Sequence, residues 1–289
     1  MGDPPHQQNK RCQRQNCFWA ATTMSSPYLL PELVDLIVDL LHDADDALKN
    51  CSLVCKSWIP HTRQHLFANV EFRTAKDLQS WKSMFPNPST SPAYYTRTLS
   101  ITFCPDATTA GTEEGSWITT FSRVVHFEIG THSDPASSLM SDPTKFLVPF
   151  HGFSPALKSL HVVFNALPSR CVFDLIHSFP LLEELSVATD DVFGPFGFDG
   201  RLTAVQSPSP PPFTGALKLS LKSGMDSIAS RLLSLSKGPH FRKLCFTWHY
   251  RKDALSMTAL VERCSPTLEV LRIDSEIFST SSWHLDSRS

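Results

Sequence analysis

The side chains able to do chemistry are numerous but scattered: twelve histidines and eight cysteines over 289 residues. Cys12 with Cys17, and Cys51 with Cys55, could each supply half of a metal site, but neither has a second Cys or His pair at zinc-like spacing. They read as buried or incidental thiols, and no metal or cofactor is expected. His126, His161 and His249 stand singly within short apolar units, where a hydrogen-bonded or exposed ring is the ordinary role. His151-Gly-Phe-Ser154 lacks the spacing of a nucleophile elbow. The chain has no phosphate loop, dinucleotide fingerprint or His-Glu-x-x-His. No catalytic residue is expected, and the chain reads as a non-enzyme.

What remains is apolar contact, so the argument moves to the elements that carry it. From Leu29 to Leu41 the apolar positions are 29, 30, 33, 34, 36, 37, 38, 40 and 41, with Pro31 and Glu32 suited to a first helical turn. An acidic turn from His42 to Asp46 follows, with Asp43, Asp45 or Asp46 placed to cap a second helix containing Leu48, Cys51, Leu53, Val54 and Cys55. Trp58 ends it, and Pro60 opens a shorter third segment with Leu66 and Phe67. Between Leu33 and Leu41 only Asp35 and Asp39 are polar, so the first helix has more apolar surface than one stripe. Either the rest of the chain covers that surface or a partner does.

Downstream of Val70 an apolar residue is repeatedly followed three and five positions later by two more. The units are Leu157, Leu160, Val162; Leu182, Leu185, Val187; Phe241, Leu244, Phe246; and Leu268, Leu271, Ile273. Ala216, Leu219, Leu221 fits with a small first residue, while the units around Leu99 and Val125 fit at two positions. Alternation within a unit predicts a short strand, and spacings such as Met225, Ile228, Leu232, Leu235 predict helices between strands. Strand plus helix, repeated, predicts a solenoid. Two insertions interrupt it, His132 to Pro155 and Phe193 to Pro212.

Composition bounds the class. Hydrophobic residues are 41% and charged residues 19%, as in folded globular chains, and the net charge of -2 offers no positive field for nucleic acid. Pro31, Glu32, Asp35 and Asp39 break the richest apolar run, so no membrane span is expected. Behind Lys10, Arg11 and Arg14 the stretch Cys17 to Ala21 is too short for a secretory signal, and His6 stands where a myristoylation signal needs Ser or Thr. Together with unpatterned cysteines this predicts an intracellular protein of the cytoplasm or nucleus. Met24 could equally be the start.

Leu30-Pro31-Glu32-Leu33, Ile37 and Leu40, then Leu48 and the Val54-Cys55-x-x-Trp58 element, resemble an F-box over residues 27–70. The family writes Leu-Pro-x-Glu-Leu; here Leu30 takes the proline position and Pro31 the variable one. The repeats resemble degenerate leucine-rich repeats, with Cys104 and Asn165 at the expected ninth position and Gly130, Asp190, Gly224, His249 and Glu276 elsewhere. These resemblances imply an α+β or α/β fold: an N-terminal three-helix F-box, then an irregular leucine-rich-repeat-like solenoid of short strands and helices. The organisation would be a disordered tail 1–26, the F-box 27–70, a connecting segment 71–95, the repeat domain 96–278 and a C-terminal tail 279–289. They further imply that Leu30, Pro31, Glu32, Leu33, Ile37, Leu48, Val54, Cys55 and Trp58 dock on the Skp-type linker subunit of a Skp/cullin/F-box ubiquitin ligase. Through the linker the chain would meet a cullin, and the repeats would hold an unidentified protein substrate. The alternative is an F-box scaffold that assembles no active ligase.

Overall fold

The computed structural model describes residues 29–102, 117–130, 148–164, 169–189, 214–221, 225–234, 238–248 and 253–275. The tails 1–26 and 279–289, residues 132–147 of the first insertion, all of the second, and Cys104, Asn165, Asp190, Gly224, His249 and Glu276 lie outside the described residues.

Three helices come first: α1 (Pro31–Leu40), α2 (Asp45–Val54) and α3 (Ile59–Leu66). Eight strands follow: β1 (Asn69–Phe72), β2 (Thr98–Ile101), β3 (His126–Gly130), β4 (Ser159–Phe164), β5 (Glu184–Thr189), β6 (Ala216–Leu221), β7 (Lys243–Trp248) and β8 (Val270–Ser275). They form one sheet in sequence order, every neighbouring pair parallel. Because parallel strands cannot be joined by a tight hairpin, the chain leaves the sheet after each strand and returns. Helices α4 (Ala75–Met84), Ser169–His177, Met225–Leu233 and Ala254–Cys264 make such crossings, and short 3-10 turns such as Ile118–Phe121 and Val148–Phe150 lie in others.

Alternation puts two apolar rows on one face. Val70, Leu99, Phe127, Leu160, Leu185, Leu217, Leu244 and Leu271 are register partners, as are Phe72, Ile101, Ile129, Val162, Val187, Leu219, Phe246 and Ile273. All are buried except the β8 pair, which stays open at the sheet's edge beside a cavity of about 290 Å³. Helical residues such as Leu78, Trp81, Leu175, Ile228, Leu232 and Leu260 close the same core. At the N-terminal end it is aromatic, with Trp81 and Phe121 ring centroids 5.6 Å apart and Phe72 edge-on to both. Thr74 and Asp77 form a reciprocal capping box that starts α4. A side chain at Gly215 would collide with the Glu183 backbone carbonyl, so only glycine lets the chain enter β6 this close to β5.

These observations correct the expected fold class. In place of a three-helix F-box followed by a leucine-rich-repeat-like solenoid, the chain has a single eight-stranded, all-parallel sheet with helices, an α/β arrangement. Continuous hydrogen-bond register from Asn69 to Ser275 makes the strands one sheet, and it begins three residues after α3 ends. β1 and α4 occupy the segment expected to be a connector, and their Val70, Phe72, Leu78 and Trp81 belong to the main core. Two units were also misregistered. Leu99 pairs with Phe127 rather than Val125, and Leu185 with Leu217 rather than Leu219, because a period-two pattern looks the same after a shift of two.

Phe127 stacks on Phe150 at 5.5 Å and meets Phe153 edge-on at 4.9 Å. Phe127→Ala is expected to cost about 3–5 kcal/mol in chemical denaturation, whereas Leu255→Ala at an exposed helix position should stay within about 0.5 kcal/mol.

Candidate docking surfaces

The three helices hold a small core of their own: Val34 and Val38 from α1 and Leu48 from α2, with Leu41, Trp58 and Leu66 packed around them. Val34, Val38 and Leu41 follow helical spacing, so they share the face of α1 that turns inward. α3 contacts both α1 and α2 and also touches the 3-10 turn Pro92–Tyr95. Its buried Thr62 donates its hydroxyl to the Trp58 and Ile59 carbonyls at 3.0 and 3.1 Å, which removes the cost of burying that group.

With that face committed inward, no described residue covers the rest of α1. Leu36 is 55% exposed, Leu40 74%, Leu53 83% and Val54 66%. Leu29, Leu30 and Leu33 are exposed too. Full desolvation of one such side chain is worth roughly 1.5–3 kcal/mol. Five or six of them together match the scale of association costs, about 4–15 kcal/mol, so this surface can drive docking when a partner covers most of it.

The nine residues expected to dock fall into three groups. Leu30, Pro31, Glu32, Leu33, Val54 and Cys55 are exposed. Ile37 and Trp58 are half-buried, Trp58 against the helical core. Leu48 is wholly buried inside that core, so it holds the helices together and does not face a partner in this arrangement. Leu36, Leu40 and Leu53 are exposed beside them, and Leu36 and Leu40 stand in the run of apolar positions from Leu29 to Leu41. Pro31 is the first helical residue and the preceding Leu30 carbonyl accepts from Leu33 N at 2.9 Å, so proline here preorganises the turn. The expected aspartate cap of α2 is replaced by Ala44, which makes no side-chain cap, and Asp45 and Asp46 act from within the first turn on the helix dipole.

Cys55 ends α2 in an extended conformation, exposed, with Sγ 2.9 Å from Ser57 Oγ. That hydrogen bond, more than any other influence, holds its thiol below the ordinary value.

A second surface is the face of the sheet opposite the core. Its central row runs Glu71, Ser100, Glu128, His161, Ser186, Lys218, Cys245 and Arg272, in register across all eight strands and exposed or half-buried throughout. The row's acidic groups are Glu71 and Glu128 and its basic ones Lys218 and Arg272, with Glu71 paired to Arg73 and Arg272 to Asp274. Partial burial pushes His161 below its usual pKa against the pull of Glu128, whose Oε1 is 3.7 Å from its Nδ1. No described helix is long and apolar enough to cross a membrane.

Comparison with protein-family models, curated proteins and solved structures returned no match.

A depressed pKa means that the Cys55 thiolate dominates from a lower pH. Its alkylation by iodoacetamide, followed by peptide mapping, should reach half its maximal rate at a lower pH than that of an unperturbed thiol. Ser57→Ala should move that midpoint upward, while Cys264, buried and with its pKa raised by burial, should stay unmodified in the folded chain.

Proposed function

We propose that the chain is a non-catalytic adaptor of a Skp/cullin/F-box ubiquitin ligase. The three helices of residues 31–66 dock on the Skp-type linker subunit, and the open face of the parallel sheet receives a protein target. The observation that carries this reading is the apolar surface on α1 and the end of α2, exposed although these helices already enclose a core. The spacing of Glu32-Leu33, Ile37 and Val54-Cys55-x-x-Trp58 gives that surface its F-box likeness.

An adaptor of this kind contributes proximity. By holding a target beside a charged ubiquitin-conjugating enzyme it raises the effective concentration of an acceptor lysine, and bond formation takes place on other subunits. The mixed charges of the sheet's open face suit a polar protein surface. The reading places the chain where such ligases work, in the cytoplasm or nucleus.

Purified full-length chain should capture the Skp-type linker. Leu40→Glu and Val54→Arg should each weaken capture about tenfold or more, since a charge at a desolvated anchor leaves it unpaired. Leu255→Arg, exposed on the helix Ala254–Cys264, should not change it. Failure of the wild-type chain to bind the linker would defeat the adaptor reading, and linker capture without cullin recruitment would favour a scaffold that assembles no active ligase.

A further inference from the structure

Between α1 and α3 lies a cluster of side chains that plays no part in the docking reading. Asp35 and Asp39 are one turn apart on α1, and His61 and His65 are one turn apart on α3. Both imidazoles turn to one carboxylate oxygen: His65 Nε2 is 2.8 Å and His61 Nε2 3.4 Å from Asp39 Oδ1. The other nitrogen of His61, Nδ1, is 3.2 Å from Asp35 Oδ1. The three donor atoms lie within 4.8 Å of one another.

We propose that His61 Nε2, His65 Nε2 and Asp39 Oδ1 form a three-ligand site for Zn²⁺ or a similar divalent transition metal, with Asp35 orienting His61 and a fourth position left to water or another ligand. Metal–ligand bonds of about 2.0–2.1 Å in a tetrahedron place donor atoms about 3.3–3.4 Å apart, a spacing that the observed distances bracket. Two imidazole nitrogens and a carboxylate match the donor preference of zinc. The Asp35–His61 pair adds what ligating histidines ordinarily have, a carboxylate on the other ring nitrogen that fixes tautomer and ring orientation. The backbone beneath is held by packing. Val38 precedes Asp39, Thr62 follows His61, and both are fully buried. The two rings are half-buried, so an ion can enter from solvent.

Bound metal would clamp α1 to α3 across 26 residues of sequence, from Asp39 to His65. The inference does not rest on the adaptor reading, because it concerns ion binding by the free chain.

Tag-free full-length chain titrated with Co²⁺ and then Zn²⁺ tests it. One equivalent of Co²⁺ should give the visible d–d absorption of a nitrogen and oxygen site, without a thiolate charge-transfer band, and Zn²⁺ should erase it. Asp39→Asn and His65→Gln should each weaken binding about tenfold or more, and Asp35→Asn about tenfold, with folding checked by circular dichroism. Absence of the d–d signal in the wild-type chain would overturn the proposal whatever the variants do. So would a thiolate band, which would place the ion on cysteine, or full wild-type affinity in folded His65→Gln.

Discussion

Parallel pairing is the constraint on which this structure depends. Each strand from Asn69 to Ser275 satisfies its backbone groups through neighbours running the same way, so every connection must cross over and return. The crossing helices and turns then pack on the face where Leu99, Phe127, Leu160, Leu185, Leu217 and Leu244 line up, and that alignment gives one uninterrupted core. Parallel sheets usually have both faces covered. Among the described residues this one covers a single face, and the polar row from Glu71 to Arg272 remains in contact with water. A broad, rigid, chemically varied surface follows from the topology.

The N-terminal helices obey a different economy. Val34, Val38, Leu48, Leu41, Trp58 and Leu66 are enough to fold α1 to α3 against one another and too few to absorb the remaining leucines. What is left over at Leu36, Leu40 and Leu53 is exposed apolar surface, each of these leucines being more than half exposed. A helical unit with a spare apolar face at one end and a rigid open sheet after it is a sensible build for bringing two proteins together.

Much of this was legible in the residues. Period-two alternation located β2, β4, β5, β7 and β8 because their inward residues are large and apolar. It failed where a shift of two leaves the pattern unchanged, at Phe127 and Leu217, and where a unit was too short to stand out, at β1. How strands are joined sideways is invisible to periodicity, so the residues suggest a three-helix module and a repeat solenoid where the chain has one eight-stranded parallel sheet with helices. In the helical region the apolar run announced surplus surface. Which side of α1 turns inward depends on α3, and Leu48, among the residues expected to dock, is wholly buried in the helical core. The Asp39, His61 and His65 cluster was unreadable for the same reason: its members converge only once α1 and α3 pack.

Hydrogen–deuterium exchange on the full-length chain, with and without the Skp-type linker subunit, tests most directly whether the helical segment is the docking element. The account predicts slowed exchange confined to 31–58, with α4 and the helices crossing the sheet unchanged. Unaltered exchange in α1 and α2, or protection falling on the sheet instead, would contradict it.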